Sequence, residues 1–402
     1  MKHFFTLSAI CLSLFANAQS WVPQTSVSTY DLYSVNFIDV NNGWVCGLTG
    51  AIEHTSDGGT NWVLQNSGVT DNLRSIFFID ANNGWCAGDN GRILHTSNGG
   101  TTWTSQTSTT TNNLRSVFFL NSTTGWIAGF VGTILTTSNG GTTWTAQNST
   151  STQSLMSIHF TDASNGWVAG SSSPQAGFIL HTSNGGTTWS SQTTPTTANL
   201  LTVDLTSATT GWAAGQSGAI FHTSNGGTTW TTESSPQTHT WRSVDFPSAT
   251  TGFAVGDSGS VMATFNGGTT WTMQPTFIIS WMRSVCFVST VAGWCVGDNG
   301  TILRYSTPGA VHENTLTEKT LNSFPNPSNG TFAVTLNTNS EATAKITVTD
   351  IFGKIISQEN LLVQPGTQTV NMEMPESCAN GVYMITIDGL EARQTGRLVL
   401  RR

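Results

Sequence analysis

The sequence predicts an all-β fold: a seven-bladed β-propeller closed by its N-terminal strand, followed by a small C-terminal β-sandwich. Three observations predict it. An octet, Thr96-Ser97-Asn98-Gly99-Gly100-Thr101-Thr102-Trp103, recurs closely at 137–144, 182–189 and 223–230 and more loosely at 55–62 and 264–271. Upstream of each octet, strand openings at Tyr33, Arg74, Arg115, Met156, Leu201, Arg242 and Arg283 are spaced by 41, 41, 41, 45, 41 and 41 residues. After Ser306 the repeat stops and the composition changes.

Within one repeat the elements follow from turn chemistry. Four short strands, 114–120, 126–129, 133–138 and 143–148, are separated by turn residues, and four strands in a period near 40 mark a propeller blade. The second strand opens on a Gly-aromatic pair ten residues after the opening: Gly43-Trp44, Gly84-Trp85, Gly125-Trp126, Gly166-Trp167, Gly211-Trp212, Gly252-Phe253 and Gly293-Trp294. The octet joins the third strand to the fourth. Its Asn (Asn98, Asn139, Asn184, Asn225, Asn266) or Asp57 bonds its own backbone, and its Gly pair takes positive φ without a Cβ penalty. The longer interval comes from 171–177, where other repeats have a short loop such as Asp89-Asn90-Gly91.

Each octet Trp precedes the next opening by twelve residues, but the seventh repeat ends at Tyr305-Ser306-Thr307-Pro308 with no Trp. Trp21-Val22-Pro23-Gln24 resembles Trp103-Thr104-Ser105-Gln106, and Trp21 also precedes Tyr33 by twelve. The N-terminal strand is therefore expected to complete the last blade, leaving no sheet edge open at the join.

The domain plan is a signal peptide over 1–18, the propeller over 19–306, a linker over 307–321 and a C-terminal domain over 322–402. Lys2, an apolar run over 4–15 and Ala16-Asn17-Ala18 form the signal. No other stretch approaches the roughly 20 apolar residues of a membrane span, so no integral membrane segment is expected. In the C-terminal domain, strands are expected at 332–336, 345–349, 369–372, 382–387 and 397–400, punctuated by Pro325-Asn326-Pro327, Asn329-Gly330 and Pro365-Gly366.

Charged residues make up only 9% of the chain and the formal charge is −8. Residues 21–306 hold six Arg, no Lys and thirteen Asp plus Glu, a poor match for a phosphate backbone, so no nucleic acid partner is expected. Five cysteines follow the signal, in no zinc or CxxC spacing. Cys286 and Cys295, on consecutive strands, form a candidate disulfide; buried thiols are the alternative.

The octet resembles the Asp-box or BNR hairpin S-x-D-G-G-x-T-W, which occurs in sialidases, some glucanases, sortilin-type receptors and photosystem II assembly and stability factors. Single-octet repeats of about 41 residues with Gly-Trp pairs resemble the last of these most. The C-terminal segment is similar to the type IX secretion sorting domain, the Por secretion tail. That likeness rests on Pro325-Asn326-Pro327 with Gly330, Val348-Thr349-Asp350 with Gly353-Lys354, Gly381-Val382-Tyr383 and Arg401-Arg402. It implies engagement of the type IX machinery through 322–402. It also implies export, via the periplasm, to the outside or the outer-membrane surface of a Bacteroidetes-type bacterium, a setting without a photosystem.

A sialidase needs an arginine triad, a Tyr nucleophile with its Glu, and an Asp acid; residues 21–306 offer only Tyr30, Tyr33, Tyr305, Glu53 and Glu233 for the Tyr and Glu roles. Four of the six arginines share one repeat position, and fifteen residues downstream Arg74 meets Asp89, Arg242 meets Asp257 and Arg283 meets Asp298. These are read as structural ion pairs near the channel mouth. Arg115 meets Phe130 instead. His95, His181 and His222 share a third-strand position and read as blade packing, so no metal or other cofactor is expected. Trp281 stands where other repeats have Asn and, with Phe277-Ile278-Ile279, makes an apolar loop beside Arg242 and Arg283. The expected function is a non-catalytic propeller that binds protein or glycan through this face, at Trp281, Phe277, Arg115, Arg242 and Arg283. An Asp-box-type glycoside hydrolase and an assembly factor for a surface complex are the alternatives.

Overall fold

In the computed structural model, residues 20–172, 176–276, 278–306, 319–321, 323–338, 341–350, 355–388 and 394–402 are described. The chain divides into two compact units, 1–309 and 310–402. The signal segment and most of the linker lie outside the described residues.

The first unit holds seven four-stranded antiparallel sheets among the described residues, one per repeat. In the third, the strands are Leu114–Phe119, Gly125–Gly129, Thr133–Thr137 and Thr145–Asn148. The seventh draws three strands from Met282–Ser289, Ala292–Gly297 and Ile302–Ser306; its outer strand is Ser20–Gln24, with Trp21 opposite Tyr305. In five of the seven sheets the second strand is buried along its whole length, which is why it reads as an unbroken apolar run between glycines.

Neighbouring sheets are joined at two radii. Near the axis, a hydroxyl on each inner strand accepts the backbone N–H of the next. Ser34 accepts from Ile76, Ser75 from Val117, Ser116 from Ile158, Ser157 from Val203, Thr202 from Val244 and Ser243 from Val285, and Ser284 accepts from Val35 of the first sheet, all at 3.1–3.3 Å. Further out, the second-strand Trp stacks on an inner-strand Phe of the next sheet, as Trp44 does on Phe78 at 3.6 Å and Trp294 on Phe37 at 3.5 Å. A Cβ at Gly84 would strike that Phe78 ring, so the residue before Trp85 is Gly.

The octet acts between sheets as well as within one. Gly58 and Gly59 take φ of 69° and 88°, and Asp57 Oδ1 accepts the Asn61 N–H at 2.8 Å. In the later copies Asn Oδ1 accepts the same bond while its amide donates to a Thr hydroxyl, as Asn98 does with Thr102. The Gly carbonyl then faces the preceding sheet: Gly99 O accepts from Trp44 Nε1 and Gln65 Nε2, and Gly58 O accepts from Trp294 Nε1 and Gln24 Nε2. The sheet without an octet, the seventh, follows the sheet whose second strand carries Phe253, an aromatic with no N–H to place. Phe253 packs instead on Phe287, Trp21 and Tyr305.

The second unit has a five-stranded sheet (Lys319–Thr320, Gln394–Leu400, Gly381–Asp388, Ala342–Asp350, Ile355–Val363) and a three-stranded sheet (Ser323–Phe324, Thr331–Thr338, Gly366–Glu373). Phe332, Val334 and Leu336 of one and Ile346, Ile385 and Leu398 of the other share a single apolar core. Ile355–Val363 is missing from the sequence reading because Ser-Gln-Glu-Asn interrupts its apolar pattern, as an exposed edge strand permits.

One correction concerns sulfur. Cys286 and Cys295 are both free. Cys286 is opposite Trp294 and Cys295 opposite Val285, so the two are offset by one residue and point to opposite faces of the sheet. No disulfide can join them.

Candidate functional site

Every inner strand carries a β-bulge near its start, between Leu32 and Ser34 in the first sheet, between Leu155 and Ser157 in the fourth and between Met282 and Ser284 in the seventh. A bulge re-aims a side chain out of the ladder. The seven bulged residues, Tyr33, Arg74, Arg115, Met156, Leu201, Arg242 and Arg283, together line one cavity of about 150 Å³ on the axis. The candidate site is thus a ring of seven side chains at one repeat position, each presented by the same backbone device.

The ring has two arcs. Met156 and Leu201, adjacent in sheets four and five, make an apolar side. Around the rest, each cation lies against an aromatic ring: Arg242 lies 4.5 Å from the Trp281 ring, Arg283 5.4 Å from Trp281 and from Tyr33, Arg74 4.4 Å from Tyr33, and Arg115 4.3 Å from Phe130. Each such contact is worth on the order of 1 kcal/mol.

Three arginines are neutralised within their own sheet. Arg74 bonds Asp89 through Nε and Nη2 at 3.0 and 2.6 Å, Arg283 bonds Asp298 at 2.6 and 3.1 Å, and Arg242 Nε bonds Asp257 at 2.6 Å. Burial works against the Asp89 carboxylate, yet bonds from Arg74 and Asn72 hold it below its usual range. The aspartates sit in the loops between second and third strands, beside residues in left-handed conformation such as Asn90 at φ 56°.

Arg115 differs. Its Nε is buried without a hydrogen-bond acceptor, and it has no ion-pair carboxylate among the described residues. Burial, with the like charge of Arg74 beside it, pushes Arg115 down to about 10, so at neutral pH it is a cation held at a desolvation cost.

Trp281 is 44% exposed and Ile279 90% exposed, so the apolar loop stands in solvent next to the ring. Phe277, named with them above, lies outside the described residues. At the repeat position of Trp281, Asn72 and Asn113 accept the N–H of the left-handed loop residues Thr49 and Asn90. Trp281 offers no such acceptor and lays its ring on Arg242 instead. The apolar arc was overlooked in the sequence, although Met156 and Leu201 occupy the arginine position. A fourth Arg–Asp ion pair, Arg92 with Asp71 at 2.8 Å, was overlooked because its spacing occurs once.

The remaining candidates fall elsewhere. His95 and His222 stack on Trp85 and Trp212 at 4.9 Å, and His181 lies tilted on Trp167 at 4.7 Å. Among the described residues no group of three His, Cys, Asp or Glu is arranged to hold a metal ion. Asp57 and the five octet asparagines are spent on turn hydrogen bonds.

Residues 15–109 and 104–194 match the family model described as photosynthesis system II assembly factor YCF48. Residues 322–401 match the secretion system C-terminal sorting domain. Among solved structures, YCF48 bound to D1 peptide is 23% identical with a TM-score of 0.62, covering 74% of this chain and 100% of its own. The Niastella koreensis GH74 enzyme is 16% identical (TM-score 0.59; 80% of this chain, 59% of its own). PorZ, a surface component of the type IX secretion system of Porphyromonas gingivalis, is 12% identical (TM-score 0.56; 93% of this chain, 60% of its own). No curated protein matches. No helix among the described residues is long and apolar enough to cross a membrane. The chain is a β-propeller resembling the photosystem II assembly factors, joined to a secretion system C-terminal sorting domain that marks it for export to the cell surface or beyond.

Proposed function

We propose that this protein is a non-catalytic, secreted or surface-attached propeller whose seven sheets form one closed ring, and that the ring of bulged residues captures an anionic group of a protein or glycan ligand. The carrying observation is Arg115: a desolvated cation without an acceptor, ringed by three arginines that have theirs. In a protein of formal charge −8, three of the four ring arginines are offset by their aspartates and Arg115 leaves one uncompensated positive charge, which favours an anion there. Trp281 and Ile279 supply an apolar platform at the edge, suited to a side chain or a sugar face. A peptide is the better supported ligand, since one solved relative is a complex with a peptide.

The hydrolase reading needs two carboxyl groups free to act as acid and base or nucleophile. Asp89, Asp257 and Asp298 each carry an arginine.

Screening the purified propeller on peptide and glycan arrays, and on chromogenic glycosides, tests the proposal. Binding that weakens with salt and is lost in Arg115→Leu supports it. Turnover that disappears in Asp257→Asn or Asp298→Asn would establish the hydrolase instead, and ligand binding that survives both Arg115→Leu and Trp281→Ala would remove the site.

A further inference from the structure

The repeat makes certain second-strand residues meet across each seam between neighbouring sheets. Six such pairs share one buried cluster each: Ala87 with Ile127, Ala128 with Val168, Ala169 with Ala213, Ala214 with Ala254, Val255 with Cys295, and Val296 with Val45. The seventh seam, between the first and second sheets, places Cys46 against Cys86 in the same way. Both are fully buried free thiols: Cys46 Sγ donates to Leu73 O at 3.5 Å, and Cys46 lies close enough to Cys86 to add to the effect of burial on that thiol.

We infer that Cys46 and Cys86 are an oxidisable pair that forms a disulfide bolt between the first two sheets of the propeller. The bond length of about 2 Å asks the sulfurs to approach further than a thiol–thiol contact. The seams accommodate this, since the same position holds anything from Ala169/Ala213 to Val296/Val45. Cys295 is excluded from such a bond because it faces Val255, and Cys286 because it belongs to the inner strand.

The chemistry is exchange with a thiol oxidant in disulfide form, either a small molecule or a dithiol oxidase. One Cys thiolate attacks the oxidant's disulfide and expels a thiolate; the other Cys attacks the mixed disulfide and expels the second. Two protein thiols lose two hydrogens and the oxidant leaves as two thiols. Burial holds the Cys86 thiol well above its ordinary range, so the folded pair is a poor nucleophile and exchange belongs to the stage before the two sheets close. The oxidising setting rests on the export reading above; the bond geometry does not.

The test is refolding of the full chain with and without oxidised glutathione, followed by alkylation in denaturant without reduction and peptide mass mapping. The expected result is a linked Cys46–Cys86 peptide pair that escapes alkylation only in the oxidised sample, while Cys286, Cys295 and Cys378 are alkylated. Reductant should then lower the thermal midpoint by about 5 °C, on the scale of a cross-link closing some 40 residues. The variant Cys46→Ala/Cys86→Val, which copies Ala87 and Val45 from the other seams, should fold and show no response to reductant. Alkylation of both cysteines after oxidative refolding overturns the pair. A pair that forms on refolding but is absent from protein collected outside the cell overturns the oxidising setting and leaves the geometry standing.

Discussion

The outer octets and the axial ring are built from the same repeat, and they differ in what the repeat holds constant. At the rim the residues barely vary: Thr, Asn or Asp, Gly, Gly and Trp return in six copies, with Ser in five of them, and their polar groups are spent on the turn itself or on the preceding sheet. On the axis the backbone is constant, with a bulge in every sheet, while its occupant changes from Tyr to Arg to Met to Leu. A constant residue in a constant hydrogen bond is structure; a varied residue on a constant pedestal is where a ligand can be specified.

The largest effect that sharpens this contrast comes from the rim side. Trp167 is fully buried, rests on the next sheet near Leu205 and donates its indole N–H to Gly226 O at 3.1 Å. Trp167→Ala removes the ring and the bond together and should cost about 3 to 5 kcal/mol in denaturant titrations. Arg115→Leu, which copies Leu201, should leave that stability unchanged or raise it, because it removes a desolvated charge. The same variant should lose ligand affinity by about 10- to 100-fold. If the two variants exchanged outcomes, the division between rim and axis would be wrong.

The sheets were legible because a period of 41 leaves its mark in any residue type, and the join at Trp21 was legible because the twelve-residue spacing outlives the octet. The Arg and Asp positions were legible for the same reason, fifteen apart in three repeats. Spacing says nothing of which face a side chain takes. Cys286 and Cys295 misled because a β ladder has period two and a single residue of register reverses the face. The bulge that aims Arg115 at the axis leaves no residue signature, and neither does the indole bond between sheets, which needs the three-dimensional neighbour to be seen. Cys46 and Cys86 lie 40 apart, close to one period, so their meeting across a seam was written in the sequence yet invisible without the seam.

The ion pairs offer a smaller effect. Asp257→Asn leaves Arg242 with a neutral partner and the Trp281 ring, and both members of the pair are about one fifth exposed. The expected loss is about 1 kcal/mol or less. A double-mutant cycle with Arg242→Leu measures the coupling. A coupling of several kcal/mol would mean that the ring is assembled by its ion pairs and that the bulges only follow.

The smallest effect is a pH dependence set at the rim. His54, His95, His181 and His222 occupy one third-strand position against the buried tryptophans, and burial lowers all four below the ordinary histidine range. The unfolded chain therefore binds their protons at a higher pH than the folded one. Stability rises with pH wherever the unfolded state holds more protons, so this contribution is complete above about pH 6.5 and is lost as pH falls from there through the folded values. The depressed aspartates, Asp39, Asp57, Asp80 and Asp162, add their loss only below about pH 4. The third sheet carries Thr136 at the histidine position, so replacing all four histidines with Thr keeps a residue the repeat already uses. The wild-type thermal midpoint should fall between pH 7 and 5, and the fourfold variant should be nearly flat over that interval. A slope that survives the replacement would move the titrating group off this third-strand position, and the rim would then be silent in pH as it is in ligand binding.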